Sequence, residues 1–219
     1  MDASKMVKSV LGDMRETMNE LYSKNLVRDY KPASYRITAK DTHEISFSGK
    51  DKSICNIVYD EHIAGEDIMD KLLAGYQYSV LLYDKSIIQA EFLIEGNRIV
   101  KERLVFIKKH NKTWDADEID LYEAFDEDWF TEEYGIPIVI RIDYDPREHK
   151  DGEHPSSHLT LSNHESCRIP MKEAVTFSEF VRFILFHFYD KKLNKASFRL
   201  SGPEDITELE KKMIHVNWI

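Results

Sequence analysis

The chain has 219 residues, 42% of them hydrophobic and 11% aromatic, with only 8 Gly and 6 Pro. That composition belongs to a globular chain and excludes a disordered or collagen-like one; at this length about 70% of the unfolded surface can be buried, so no staple is needed. The net charge of −10, from 30 basic and 40 acidic residues, weighs against a general nucleic-acid coat.

The acid is concentrated. Residues 115–133 hold ten Asp or Glu and no Lys or Arg, which accounts for the whole imbalance. No apolar run approaches the roughly 18 residues of a membrane span. The first residues, MDASKMVKSVLGDMRETM, lack an apolar core, which predicts no signal peptide. Two cysteines, Cys55 and Cys167, cannot form a disulfide framework and fit a reducing, cytoplasmic setting.

In chain order, residues 1–27 read as an amphipathic helix. Met6, Val7, Val10, Leu11, Met14, Met18, Leu21 and Tyr22 recur at helical spacing, as one buried stripe requires. The stripe either packs on its own domain or meets a partner, for which its methionines are adaptable. Residues 28–219 read as a single α+β domain. Lys31-Pro32 turns into sheet, with short strands expected at 34–39, 44–47 and 55–59 and a short helix at 67–74. Strands at 78–83, 87–94 and 98–107 follow, separated by Asp84-Lys85 and Glu95-Gly96-Asn97, both hairpin turns. Neither face of the third strand is clean: Ile99, Lys101, Arg103, Val105 and Ile107 share one, Val100, Glu102, Leu104 and Phe106 the other.

The acidic segment carries Trp114, Ile119, Leu121, Tyr122, Phe125, Trp129 and Phe130. Such aromatic density suits a cover over the sheet or a docking face for a basic partner. Strands are expected at 137–145 and 157–162. Thr176 and Glu179 form a capping box for a Phe-rich helix reaching Tyr189, apolar enough to be the core helix. A last strand at 198–200 and a C-terminal helix from Gly202-Pro203 complete the pattern. The fold class is α+β: a mainly antiparallel sheet, a buried Phe-rich helix, an N-terminal amphipathic helix and a C-terminal helix.

Chemistry concentrates between Ile136 and Pro170. Arg141, Asp143 and Asp145 alternate with Ile140, Ile142 and Tyr144, so one Arg and two Asp share a strand face. Five of the nine histidines, His149, His154, His158, His164 and His187, fall between positions 149 and 187. If the two strands pair, Asp143 and Asp145 come near His158, with His154 in the preceding turn. Asp143, Asp145, His154 and His158 are then candidate ligands for a divalent metal, Mn²⁺, Mg²⁺ or Zn²⁺. Without a metal, the histidines suit acid and base roles while Arg141 or Arg168 holds a phosphate. The plainer account of the same residues is a satisfied polar network. There is no Gly-rich phosphate loop, Gly-x-Ser-x-Gly elbow or Cys-x-x-Cys pair, which disfavours a nucleotide-driven motor, a serine hydrolase of that type and a zinc ribbon. Tyr78, Tyr83 and Tyr144 offer a base-stacking platform, or are ordinary strand residues.

Three blocks carry a family resemblance: QYSVLLYDKSIIQAEFLIEGNRIVKERLVF from Gln77, IRIDYDP from Ile140, and HPSSHLTLSNHESCRIPMKEAVTFSEFVRFILFHFY from His154. Their order and spacing resemble the bacterial domain-of-unknown-function 2290 family. The matching polar positions are Arg141, Asp143, Asp145, His154, His158, Cys167 and Arg168. The resemblance implies a bacterial, cytosolic protein and no assigned activity. The layout is also similar to small toxin components of toxin–antitoxin pairs, an analogy of arrangement only.

Two functions follow. In the first, the protein is an intracellular bacterial effector or defence-type protein acting on a phosphodiester or nucleotide, with Arg141, Asp143, His154 and His158 as the catalytic set. In the second it is a non-catalytic subunit, docking a protein partner or a second copy through the N-terminal helix and residues 115–133. Neither needs a membrane.

Overall fold

The computed structural model describes residues 4–47, 65–108, 138–161, 167–193, 200, 205–213 and 215–216. The acidic segment and the strands expected at 55–59 and 198–200 fall outside them, except for Leu200, which belongs to no strand.

Helix α1 spans Lys5–Ser23, opened by Ser4, whose hydroxyl accepts the Val7 N–H at 3.3 Å. It stops at Asn25, in the left-handed region at φ 55°. Val7, Val10, Met14, Met18 and Leu21 are buried in the main core. The methionine stripe is therefore spent inside the chain, and the alternative in which it meets a partner loses that surface.

The sheet is built from β1 (Val27–Tyr30), β2 (Tyr35–Ala39), β3 (Thr42–Ser46), β4 (Val80–Leu82), β5 (Ile87–Glu95), β6 (Arg98–Lys108), β7 (Ile138–Tyr144), β8 (Ser157–Leu161) and β9 (Ile169–Pro170). Its order is β1-β4-β5-β6-β7-β8-β9, with β3 joining β2 to β5, and every strand pair is antiparallel. The turn between β5 and β6 needs Gly96, at φ 55°, where a Cβ would be strained. The α+β architecture is as the sequence predicts. Strands β1 and β9 are additional, each too short to show a period.

One sheet face carries Ile88, Ala90, Phe92, Ile94, Leu104, Phe106, Ile140, Ile142 and Leu159 against α1 and α3 (Phe177–Tyr189). Helix α3 opens on the expected capping box: the Thr176 N–H donates to Glu179 Oε2 at 2.9 Å and the Glu179 N–H to Thr176 Oγ1 at 3.2 Å. Asp13 of α1 adds a cap from the neighbouring helix, accepting the Ser178 N–H at 3.0 Å. The helix is buried along one face only; Phe186 is 53% exposed.

The opposite sheet face is divided. At one end α2 (Gly65–Ala74) lays Ile68, Met69 and Leu72 over Leu81, Ile87, Val105, Ile107 and Val139. At the other end polar residues of β6, β7 and β8 take over. This division explains the mixed pattern of β6: Val105 and Ile107 lie under α2, while Lys101 and Arg103, on the same face, lie beyond it.

The expected C-terminal helix is corrected. Among the described residues of that region the helical structure is one 3-10 turn, Glu210–Lys212. Thr207 and Glu210 cap each other, with the Thr207 N–H on Glu210 Oε2 at 2.9 Å. Met213 is already extended, and the Val216 N–H donates to the Pro170 carbonyl at 2.9 Å. Backbone pairing at the sheet edge ends the turn before a second can form.

Candidate functional site

Pairing of β7 with β8 sets the site. Asp143 lies directly across from His158 and Arg141 across from Thr160, while β6 places Arg103 across from Asp143 on the other side. Cross-strand neighbours on one face have Cβ atoms about 5 Å apart, so Arg103, Asp143 and His158 form a row. Together with Arg141, Lys101, Asp145, Glu148, His154 and Arg168 they line an open cleft of about 370 Å³. Glu102 and Tyr144 also border it, but strand alternation sends their side chains to the opposite face.

Asp143 is the electrostatic centre. Its Oδ1 accepts from Arg103 Nε at 2.7 Å, and its Oδ2 lies 2.5 Å from Arg141 Nε and 3.8 Å from His158 Nε2. Burial pushes its pKa up, but Arg103 and Arg141 outweigh that and hold it below the usual carboxylate value. Asp145 is held differently. It caps the 3-10 turn Pro146–Glu148 and receives Arg147 Nε at 2.9 Å and Nη2 at 3.0 Å, with Lys101 at 3.7 Å. Burial raises its pKa too, and the Arg147 contacts bring it below the ordinary value.

The two histidines of the cleft are held differently. His158 is buried and its Nδ1 lies 3.1 Å from the Pro155 carbonyl. A carbonyl oxygen only accepts, so Nδ1 carries the proton and Nε2 of the neutral ring keeps its lone pair. Burial lowers the His158 pKa, opposed by Asp143. The His154 ring stands edge-on to His158, centroids 5.0 Å apart. Its pKa is lowered by burial and by the nearby Arg168 charge. Among the buried atoms of the cleft residues, His154 Nδ1 and Arg168 Nε have no hydrogen-bond partner among the described residues.

The structure thus brings Arg141, Asp143, Asp145, His154 and His158 to one cleft, yet as a poor metal site. Asp143 and Asp145 are both engaged by guanidinium groups, and Lys101, Arg103, Arg141 and Arg168 surround them. A divalent cation would have to displace arginines and sit among like charges. Among the described residues, the His, Asp and Glu side chains whose ligand atoms converge within 4.8 Å are instead His149, Asp151 and Glu210. The tyrosine platform does not assemble: Tyr78 is buried, its hydroxyl donating to Asp29 at 2.5 Å.

Sequence reasoning missed Lys101, Arg103 and Glu148. The first two were legible as same-face residues of β6; what was lacking was the β6–β7 register that places Arg103 beside Asp143. Glu148 depends on the 3-10 turn that Asp145 and Pro146 start, a local geometry without a strand or helix period.

Comparison with known protein families gives a match over residues 26–218, to a family described as an uncharacterized conserved protein (DUF2290). The chain belongs to the DUF2290 family. The match covers every strand of the sheet and leaves out the whole of α1, which nevertheless supplies part of the core. No curated protein and no solved structure matches the chain. Within the matched range, Arg141, Asp143, Asp145, His154, His158 and Arg168 border the cleft, and Cys167 is not among its lining residues. Among the described residues, no helix is long and apolar enough to cross a membrane.

Proposed function

We propose that the cleft binds the phosphate of a phosphodiester or nucleotide and cleaves it by histidine acid–base chemistry. The observation that carries this reading is the His158 ring: Nδ1–H is committed to the Pro155 carbonyl, and Nε2 is left as a base beside guanidinium groups. Arg168, with its buried Nε lacking a partner among the described residues, and Arg141 are the phosphate-holding groups. His158 Nε2 takes the proton of the attacking hydroxyl as its oxygen bonds to phosphorus. The bond from phosphorus to the leaving oxygen breaks, and that oxygen takes a proton from His154, whose imidazolium, disfavoured in the free cleft, the bound phosphate charge would stabilise. Asp143, 3.8 Å from His158 Nε2, favours the imidazolium as it forms. Such a protein would act as a nucleolytic effector in the cytoplasm.

The test is cleavage of single-stranded oligonucleotides and a nucleotide panel in EDTA. Wild-type turnover in EDTA is expected, with a fall of about 10²–10⁴-fold for His158→Ala and a raised KM for Arg168→Ala. Equal turnover by wild type and His158→Ala, or no turnover and no phosphate binding by wild type, overturns the reading.

A further inference from the structure

A second cluster lies outside the cleft, where the loop after β7 meets the C-terminal turn. Glu210 is the decisive residue. Its side chain has no solvent exposure, and its Oε1 has no hydrogen-bond partner among the described residues. His149 Nε2 faces it at 3.4 Å and is itself buried without a hydrogen bond. The two atoms form at most a long ion pair, and a cation bonded to both would satisfy each. Asp151 completes the group, all three ligand atoms lying within 4.8 Å of one another.

We propose that His149, Asp151 and Glu210 bind a zinc-type divalent cation. Zinc bonds to imidazole nitrogen and carboxylate oxygen are about 2.0–2.2 Å, so two ligands of a tetrahedral centre stand about 3.3–3.6 Å apart. The His149–Glu210 separation of 3.4 Å falls in that range. An octahedral magnesium centre at about 2.0–2.1 Å would set neighbouring ligands only about 3.0 Å apart, and it prefers oxygen. Thr207 supplies the outer support that metal ligands need. Its N–H holds Glu210 Oε2 at 2.9 Å and its hydroxyl donates to Asp151 Oδ1 at 2.5 Å. Asp151 is exposed and would close on the ion through the carboxylate that Thr207 holds. Water takes the fourth position.

The ion would brace the loop that serves the cleft. His149 and Asp151 flank Lys150, whose N–H donates to the His154 carbonyl at 2.8 Å, while the His154 N–H donates to the Lys150 carbonyl at 2.7 Å. Fixing His149 and Asp151 to Glu210 therefore fixes the turn that presents His154. Cation binding itself does not depend on the phosphodiester reading.

Full-length protein stripped with EDTA is titrated calorimetrically with ZnCl₂, with MgCl₂ and CaCl₂ as comparisons, and its thermal unfolding followed in parallel. One Zn²⁺ per chain is expected, raising Tm by about 5–10 °C at a hundredfold excess over Kd. Co²⁺ should give the intense visible absorption of a tetrahedral centre. His149→Ala should abolish binding, and Asp151→Asn, at an exposed position where folding is spared, should weaken it at least tenfold. His158→Ala should bind Zn²⁺ as wild type does. Absence of Zn²⁺ binding by wild type, binding unaltered by both His149→Ala and Asp151→Asn, or binding lost instead with His158→Ala overturns the proposal.

Discussion

Replacing Asp143 by Asn removes a charge that holds two guanidinium groups in the cleft wall. Arg103 and Arg141 approach its two oxygens at 2.7 and 2.5 Å, with side-chain exposures of 31% and 12%. Breaking one partner of a buried ion pair costs about 3–5 kcal/mol, because the remaining charge is left uncompensated. Partial exposure of Arg103 lets water recover some of that, so the low end, about 3 kcal/mol, applies. For a chain of this size each kcal/mol moves Tm by about 2–4 °C, so Asp143→Asn should lower Tm by about 6–12 °C at pH 7. The sign of the pH dependence follows from the depressed carboxylate pKa. Stability from the cluster is present above the ordinary Asp value of 3.8 and is lost as pH falls through the lower native value. The difference between wild type and variant should therefore hold from pH 5 to 8 and shrink only in stronger acid. Thermal unfolding of wild type, Asp143→Asn, Arg103→Gln and the double variant measures both the cost and the coupling. Arg103→Gln should cost little once Asp143 is neutral, giving a coupling energy of about 1–2 kcal/mol. A Tm loss under about 2 °C for Asp143→Asn, or strict additivity, would refute this account.

Glu102 is fully buried, with Oε1 on the Val175 N–H at 3.1 Å, and burial raises its pKa well above the usual 4.5. The fold then holds a proton that the unfolded chain releases, so stability declines as pH rises above that value. Glu102→Gln should flatten the decline, its advantage over wild type in urea unfolding growing from pH 5 to 8; a constant gap contradicts the assignment. Burial of His158 has the opposite sign. Its native pKa lies below 6.5, the unfolded chain protonates first, and stability falls as pH drops below 6.5. His158→Gln should lose that slope, and the acid limb of any cleavage profile should have its midpoint below 6.5. Asp13→Ala should cost about 1–2 kcal/mol through the lost cap on α3. Asp13→Asn, which keeps the acceptor and spares a buried charge whose pKa burial raises, should stay near wild type in guanidinium unfolding.

How much of this was legible in the sequence depends on period. The α1 stripe, the capping box at Thr176 and the alternation of Arg141, Asp143 and Asp145 are local patterns, and each lies where its spacing predicts. Pairing of β7 with β8 was legible too, because Asp143 and His158 sit on matching polar faces. Burial in β6 was not, because one face is half under α2 and half open, a division set by the distant residues Ile68, Met69 and Leu72. The C-terminal turn misled for a related reason. Pro203, Glu204 and Asp205 are good helix-starting chemistry, but edge pairing of Val216 with Met171 draws the chain away. The His149, Asp151 and Glu210 group joins residues about sixty positions apart. Its one sequence trace is the spacing of Thr207 and Glu210, which reads as an ordinary cap.

The division of the second sheet face also bears on what the polar half is for. Under α2 the face is Val105, Ile107 and Val139, an apolar surface that needs no partners beyond packing. Two to four residues further along the same strands it becomes Arg103, Arg141 and Asp143. Stability alone does not favour that change, since well-packed apolar groups often match or exceed a buried ion cluster. Nor is the cluster self-contained: His154 Nδ1 and Arg168 Nε remain unsatisfied among the described residues. A network kept only for structure would close its own hydrogen bonds. Donors left at one cleft are what a bound anion would complete, and that is the physical support for the proposed phosphate site.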